Sequence, residues 1–164
     1  MKKGSNLFLK EINNLEEKQL IEIIDLFYET IQTVNKEDYD QKQLNIWAPE
    51  EIDISKWKKR ISKNYIFTAC DNSKIIGFGE LSPNSCIDML YVHKDYVGQE
   101  IGKKLLNMIV RKAIELNMNE IFTEASITAR PFFEAQGFKV IKKEIKTLND
   151  VEFINFLMKK KEII

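Results

Sequence analysis

Apolar residues at Leu15, Leu20, Ile23, Ile24, Phe27 and Ile31 recur at helical spacing with Glu and Lys between them, which predicts a strong amphipathic helix. Leu7 to Lys10 reads as a short strand before it. Asp40 to Trp47 reads as a shorter helix stopped by Pro49, and Ile54, Trp57 and Ile61 suggest another. Tyr65 to Cys70, Ile75 to Leu81 and Cys86 to His93 then read as a three-strand meander. Its turns are Asp71-Asn72-Ser73-Lys74 and Ser82-Pro83-Asn84-Ser85. Ile101, Leu105, Ile109, Ala113 and Leu116 share one helical face, so a helix is predicted from about Gly98 to Asn117. A strand at Glu120 to Ala125 and a short helix from Pro131 to Gly137 follow, proline opening the helix and glycine ending it. Phe138 to Leu148 and Val151 to Met158 alternate as a last strand pair, and Lys159-Lys160-Lys161 reads as a solvated tail. This order predicts an α/β fold, a mixed sheet with helices on its faces.

The 164 residues fit one domain, taken as 1–164. Twenty-five basic residues balance 25 acidic ones, so the basic excess usual in a nucleic-acid binder is missing and no nucleic-acid partner is expected. Cys70 and Cys86 form no C-x-x-C pair, so neither a metal site nor a disulfide framework is expected, and two free thiols suit a cytoplasmic location. Met1-Lys2-Lys3 resembles the start of a secretory leader, but Lys10 and Glu11 break the apolar run it would need. No stretch approaches the ~20 apolar residues of a membrane span, and no membrane partner is expected.

The most informative segment runs from Met89 to Leu106. A strand ends at Leu90-Tyr91-Val92, a loop with glycine turns, and an amphipathic helix begins. The first amides of a helix lack internal partners and carry partial positive charge, so such a terminus suits phosphate, and glycine lets a ligand approach the backbone.

This segment resembles the GNAT superfamily of acetyltransferases. The family's cofactor motif, Q/R-x-x-G-x-G/A, aligns with Val97-Gly98-Gln99-Glu100-Ile101-Gly102. Val97 stands where Gln or Arg is usual, and Glu100 where the first motif glycine is usual. Downstream, Ser126-Ile127-Thr128-Ala129-Arg130-Pro131-Phe132-Phe133-Glu134-Ala135-Gln136-Gly137-Phe138 is similar to the family's N-x-x-A-x-x-F-Y-E-x-x-G-F. The close resemblance covers roughly Tyr65 to Phe138. It implies a mostly antiparallel central sheet flanked by helices, with acetyl-CoA as cosubstrate and no metal. The implied acetyl-CoA site is Leu90, Tyr91, Val92, Val97, Gly98, Gln99, Glu100, Ile101, Gly102, Lys103, Ser126, Ala129 and Phe132. Lys103 and Lys104 are expected to compensate the charge of Glu100. The implied acceptor is a small-molecule or peptide amine, in a pocket partly formed by Asp38 to Ala48, with Tyr28 and Trp47 as contact residues. Dimers are common in the family, so a homodimer is a further expectation.

Acetyl transfer to an amine needs a base, because an amine of pKa about 10.4 is neutral in only about one molecule in 2,500 at pH 7. Asp88 and Glu80 on the central strands are the candidates. Asp88 is favoured, and simple alternation places it on the strand face of Leu90 and Val92. The family's usual acid is the tyrosine of its F-Y pair, which is Phe133 here; Tyr91 or a water is the substitute.

Each feature also has a purely structural reading. Gly98 and Gly102 could only shape a tight turn, Asp88 and Glu80 could be hydrogen-bonded carboxylates at the core edge, and Tyr28, Trp47 and Trp57 could be core aromatics. His93, the only histidine, is expected at the surface without partners. Gly77-Phe78-Gly79 precedes no helix, so a bulge or close packing fits it better than a dinucleotide motif. Lys139 to Lys146 reads as a solvated strand face. The departures at Val97, Glu100 and Phe133 leave an alternative: a CoA-binding sensor or partner domain with degraded catalysis.

Overall fold

The computed structural model describes residues 6–163; the Met1-Lys2-Lys3 reading lies outside them. The element order is β1 (Leu7–Ile12), α1 (Glu17–Val34), α2 (Gln41–Trp47), α3 (Ile54–Ile61), β2 (Tyr65–Asp71), β3 (Lys74–Leu81), β4 (Cys86–Val92), α4 (Ile101–Glu115), β5 (Glu120–Ser126), α5 (Arg130–Ala135), β6 (Lys139–Leu148) and β7 (Val151–Lys161). Short 3-10 turns at Asn35–Glu37 and Lys94–Tyr96 complete it. The strands form one sheet in the order β1-β2-β3-β4-β5-β7-β6, and every pairing is antiparallel except β4 with β5.

The two sides of the sheet carry separate cores. Leu105, Leu106, Ile109 and Ala113 of α4 pack with Phe133 of α5 over Phe67, Ile87, Ile121 and Met158. On the other side Ile23, Leu26, Phe27 and Ile31 of α1 join Leu44 of α2, Phe78, Met89 and Phe153. Burying these faces is the main force holding the layers together. Gly77 and Gly79 are explained by close packing: a Cβ on Gly77 would lie 3.0 Å from Leu105, and one on Gly79 would lie 2.8 Å from Ile109. The missing side chains let α4 rest on β3, which fixes the height of its N-terminus above the sheet.

Three expectations are corrected. Lys159, Lys160 and Lys161 belong to β7, paired opposite Phe122, Ile121 and Glu120 of β5. A sheet buries the aliphatic stems of such lysines while their ammonium groups stay outside, as the 3.3 Å contact of Lys159 with Glu120 illustrates. His93 is buried, with 7% of its surface exposed. It closes β4 as the cap of the following turn: Asp95 N–H donates to its Nδ1 at 3.1 Å, and Glu29 of α1 lies 3.6 Å from its Nε2. Burial first, then Lys74, lowers the imidazole pKa and favours the neutral form that can accept this bond. The predicted helix start at Gly98 moves to Ile101, because the left-handed Gly98 and Glu100 cannot continue a helical turn.

β6 presents a solvated edge, as its Lys-rich pattern implies, and Ile141 and Ile145 are exposed on it as well.

Candidate functional site

The site lies where β4 and β5 part. Only Cys86 with Phe122 and Ile87 with Thr123 are paired; beyond them the two strands diverge and leave a wedge in the sheet. Backbone groups of β4 that face this wedge have no strand partner there and can serve a ligand.

A cavity of about 470 Å³ opens on the α4 side of the wedge. Its walls include Leu90, Tyr91, Val92, Val97, Gly98, Glu100, Ile101, Gly102, Lys103, Ser126, Ala129 and Phe132. Of the residues expected here, Gln99 alone turns away: its amide donates to the Asp95 carbonyl at 3.3 Å. Lys103 reaches the cavity, while Lys104 is exposed outside its walls.

The loop conformation gives a physical reading of the unusual Glu100. This residue caps α4 with φ 65°, in the left-handed region, and its side chain makes no capping hydrogen bond. Glycine adopts that conformation freely, whereas other residues are strained by roughly 1–2 kcal/mol. Gly98 has φ 81° and nothing within 4 Å of where a Cβ would stand. Gly102 is different. A Cβ there would lie 3.5 Å from Phe132 and 3.7 Å from Val92, which is ordinary contact. The fold therefore does not require glycine at 102. Glu100→Gly is expected to raise stability by about 0.5–1 kcal/mol in thermal unfolding. Removal of the carboxylate should also tighten acetyl-CoA binding about fivefold in a calorimetric titration. Unchanged affinity would show that the carboxylate points away from the ligand.

A second cavity, of about 370 Å³, lies on the α1–α2 side and shares Leu90, Tyr91, Ser126, Ala129 and Phe133 with the first. Tyr39, Trp47, Asp88, Glu124, Phe153 and Asn155 line it further. Tyr39 is buried and ties three elements together: its hydroxyl accepts from Ile127 N–H at 2.9 Å, donates to the Ile154 carbonyl at 3.5 Å, and its ring meets Trp47 edge-on at 5.2 Å. Sequence reasoning placed the stretch around Tyr39 at the pocket without singling out this residue. Trp47 lines this cavity. Tyr28 does not: it faces a separate hollow with Pro49, Ile52 and Trp57, because its position on α1 turns it outward from the sheet.

The two candidate bases have different surroundings. A bulge sets Glu80 opposite Met89 and Leu81 opposite Ile87, which leaves Asp88 as the extra residue. The bulge resets the alternation: Ile87, Leu90 and Val92 belong with the α4-side core, and Met89 and Tyr91 with the α1-side core. Asp88 therefore does not share the face of Leu90 and Val92. It turns towards Asn64, whose amide donates to Asp88 Oδ2 at 2.9 Å and to Glu80 Oε2 at 3.2 Å. Asn64 was missed, since a lone Asn between a helix and a strand carries no signal of its own. Asp88 is exposed at the rim of the second cavity. Glu80 is fully buried, borders neither cavity, and has one oxygen without a partner among the described residues. Burial raises its pKa, opposed by the Arg60 guanidinium 3.5 Å away and by Asn64.

Tyr91 lies under both cavities, stacked on Phe78 at 5.7 Å and edge-on to Phe27 at 5.1 Å. Burial strongly raises its pKa, so its hydroxyl keeps its proton at neutral pH. Phe133 is buried between Phe132 and Phe138 and presents no hydroxyl to either cavity. The Cys86 thiol, which borders neither cavity, is pushed up to about 12 by burial first and by Asp88 next, which favours its protonated form. Among the described residues no group of three or more metal-binding side chains is assembled, and no helix is long and apolar enough to cross a membrane.

Comparisons with known proteins agree with this fold. The sequence model described as an acetyltransferase (GNAT) domain matches residues 35–160. YafP, an uncharacterized N-acetyltransferase of Escherichia coli (strain K12), is 29% identical over 151 residues, covering 92% of this chain and 95% of that protein. The crystal structure of a GCN5-related N-acetyltransferase (aminotransferase, class-II) from Rhodopseudomonas palustris superposes with a TM-score of 0.87 at 26% identity, covering 94% of each chain. The PaiA N-acetyltransferase of Thermoplasma acidophilum, solved in complex with coenzyme A, has the same fold at 21% identity, with a TM-score of 0.74 over 95% of this chain and 99% of that one.

Proposed function

The chain belongs to the GNAT family of acetyltransferases, and from that premise we propose that it moves the acetyl group of acetyl-CoA directly onto a primary amine, with 1–164 acting as one domain. The observation that carries this reading is the pair of cavities that meet across the wedge between β4 and β5, one beside the start of α4 and the other beside Asp88. The CoA bound in PaiA supports acetyl-CoA as the cosubstrate.

On this reading the amides at the start of α4, with Lys103, receive the phosphates, and Gly102 leaves room for them. The acceptor amine enters the second cavity. Asp88, directly or through a water, takes the proton of the ammonium group. The freed nitrogen attacks the thioester carbonyl carbon, the C–N bond forms, and the C–S bond breaks. The nitrogen, which still carries one proton too many after the attack, passes it through Tyr91 or a water to the departing thiolate, so that amide and thiol are both neutral. A thiol is an adequate leaving group, with a pKa of about 8.5, so the absence of a hydroxyl at Phe133 does not stop the reaction. Cys86 borders neither cavity and so offers no covalent relay, which favours direct transfer.

The test is a calorimetric titration with acetyl-CoA, with ATP for comparison, followed by an assay of free CoA release with a panel of amines. Saturable one-site binding with amine-dependent release of CoA is expected. Binding without release for any amine would favour the CoA-binding alternative instead.

A further inference from the structure

The acceptor cavity has a neighbour that the acetyl-transfer reading leaves unused. Asp88 also forms one wall of a shallow groove of about 330 Å³ whose other walls are Lys56, Lys59, Arg60, Lys63 and Asn64. The chain has zero net charge, so four cations against one carboxylate is a marked local excess. Of the four, Arg60 alone has an ion-pair partner among the described residues, the buried Glu80 at 3.5 Å. Lys58 on the same helix is paired with Glu17 at 3.0 Å, yet it points away from this groove.

Helix chemistry does not account for the cluster. Lys59 and Arg60 sit in the last turn of α3, where the helix dipole favours cations, but Lys56 follows the N-cap Asp53 closely, where the dipole opposes a cation. Lys63 lies beyond the helix end. Lys56, Lys59 and Lys63 repel one another and the single carboxylate of Asp88 does not balance them, so an anion from outside the chain would relieve that repulsion.

The groove and the acceptor cavity meet at Asp88. A molecule that spans Asp88, with its amine in the cavity and its other end over the groove, places that end beside these cations. The geometry points to an acceptor that carries an anionic group, a carboxylate or a phosphate, besides its amine: the amine is presented to Asp88, and the anion is held by Lys56, Lys59, Arg60 and Lys63. This inference rests on the acetyl-transfer reading and narrows it. A polyamine, whose second ammonium group would meet like charge, is discriminated against.

The test compares amines matched in length by kcat/KM for CoA release. δ-Aminovalerate is expected to exceed pentylamine about tenfold, with cadaverine lowest. The preference should shrink as salt is raised from low ionic strength. O-Phosphoethanolamine against ethanolamine runs the same comparison for phosphate, and the larger of the two preferences identifies the anion. In a Lys59→Glu/Lys63→Glu double variant the order should invert, with cadaverine gaining and δ-aminovalerate losing. A gain in rate cannot come from misfolding. Cadaverine equal to or better than δ-aminovalerate in the unaltered protein, with no phosphate preference, would overturn the inference while leaving acetyl transfer intact, as would an unchanged order in the variant. Absence of CoA release with every amine, while acetyl-CoA still binds, would overturn the transferase reading and this one with it.

Discussion

Asp88→Asn is expected to lower kcat at pH 7 by about a hundredfold or more, the usual scale of a lost general base. The substitution keeps the shape of the side chain and an oxygen that can still accept from Asn64. A loss of rate would therefore report lost basicity more than lost structure. The pH dependence separates the roles. Raising the pH from 7 to 9 increases the neutral fraction of a lysine-like amine about a hundredfold. The solvent then does much of what Asp88 did, and the deficit of the variant should narrow. An equal deficit at both pH values would remove Asp88 from the base role and leave it a positioning part.

The second large effect is expected at Gly102. Gly102→Asp should weaken acetyl-CoA binding by at least about 100-fold, since a like charge set against phosphate costs several kcal/mol. The protein should still fold, because a Cβ at this position meets Phe132 and Val92 only at ordinary contact distance. Gly102→Ala provides the scale: it adds the bulk without the charge, and a far smaller loss is expected in the same titration. If the aspartate variant melts as the unaltered protein does and binds acetyl-CoA equally well, the cavity beside α4 is not the cosubstrate site.

Regular periodicity made most of the fold legible. Long amphipathic runs such as Leu15 to Ile31 and Ile101 to Leu116 declared their helices, and the Asp71–Lys74 and Ser82–Ser85 turns separated three strands correctly. What stayed hidden depended on distant partners. Lys159 to Lys161 looked solvated because their pairing with β5 lies some forty residues back in the chain. His93 gave no hint of burial, since the groups that surround it come from α1 and from the turn it caps. The site showed the same division. The loop from Val97 to Gly102 was recognisable as a local pattern, and all of its members except Gln99 border the cavity. Asp88 was found from its polarity within an apolar strand, but the bulge that decides its direction is a property of the β3–β4 pairing. Asn64, which holds both carboxylates, is visible only once three elements have been brought together.

The narrow junction between β4 and β5 has a mechanical consequence. Two residue pairs join strands that are each held by a longer ladder on their outer side. The sheet thus resembles two stiff plates riveted at one end. Asp88 rides on the first plate, and Phe153 and Asn155 ride on the second. Tyr39, beside α2, fastens that helix to the second plate through its hydroxyl bonds with Ile127 and Ile154. Flexing at the rivet would widen or narrow the wedge between the two plates. Asp88 directly follows the riveted pairs, so such flexing would part the strands least at Asp88 and most towards Val92.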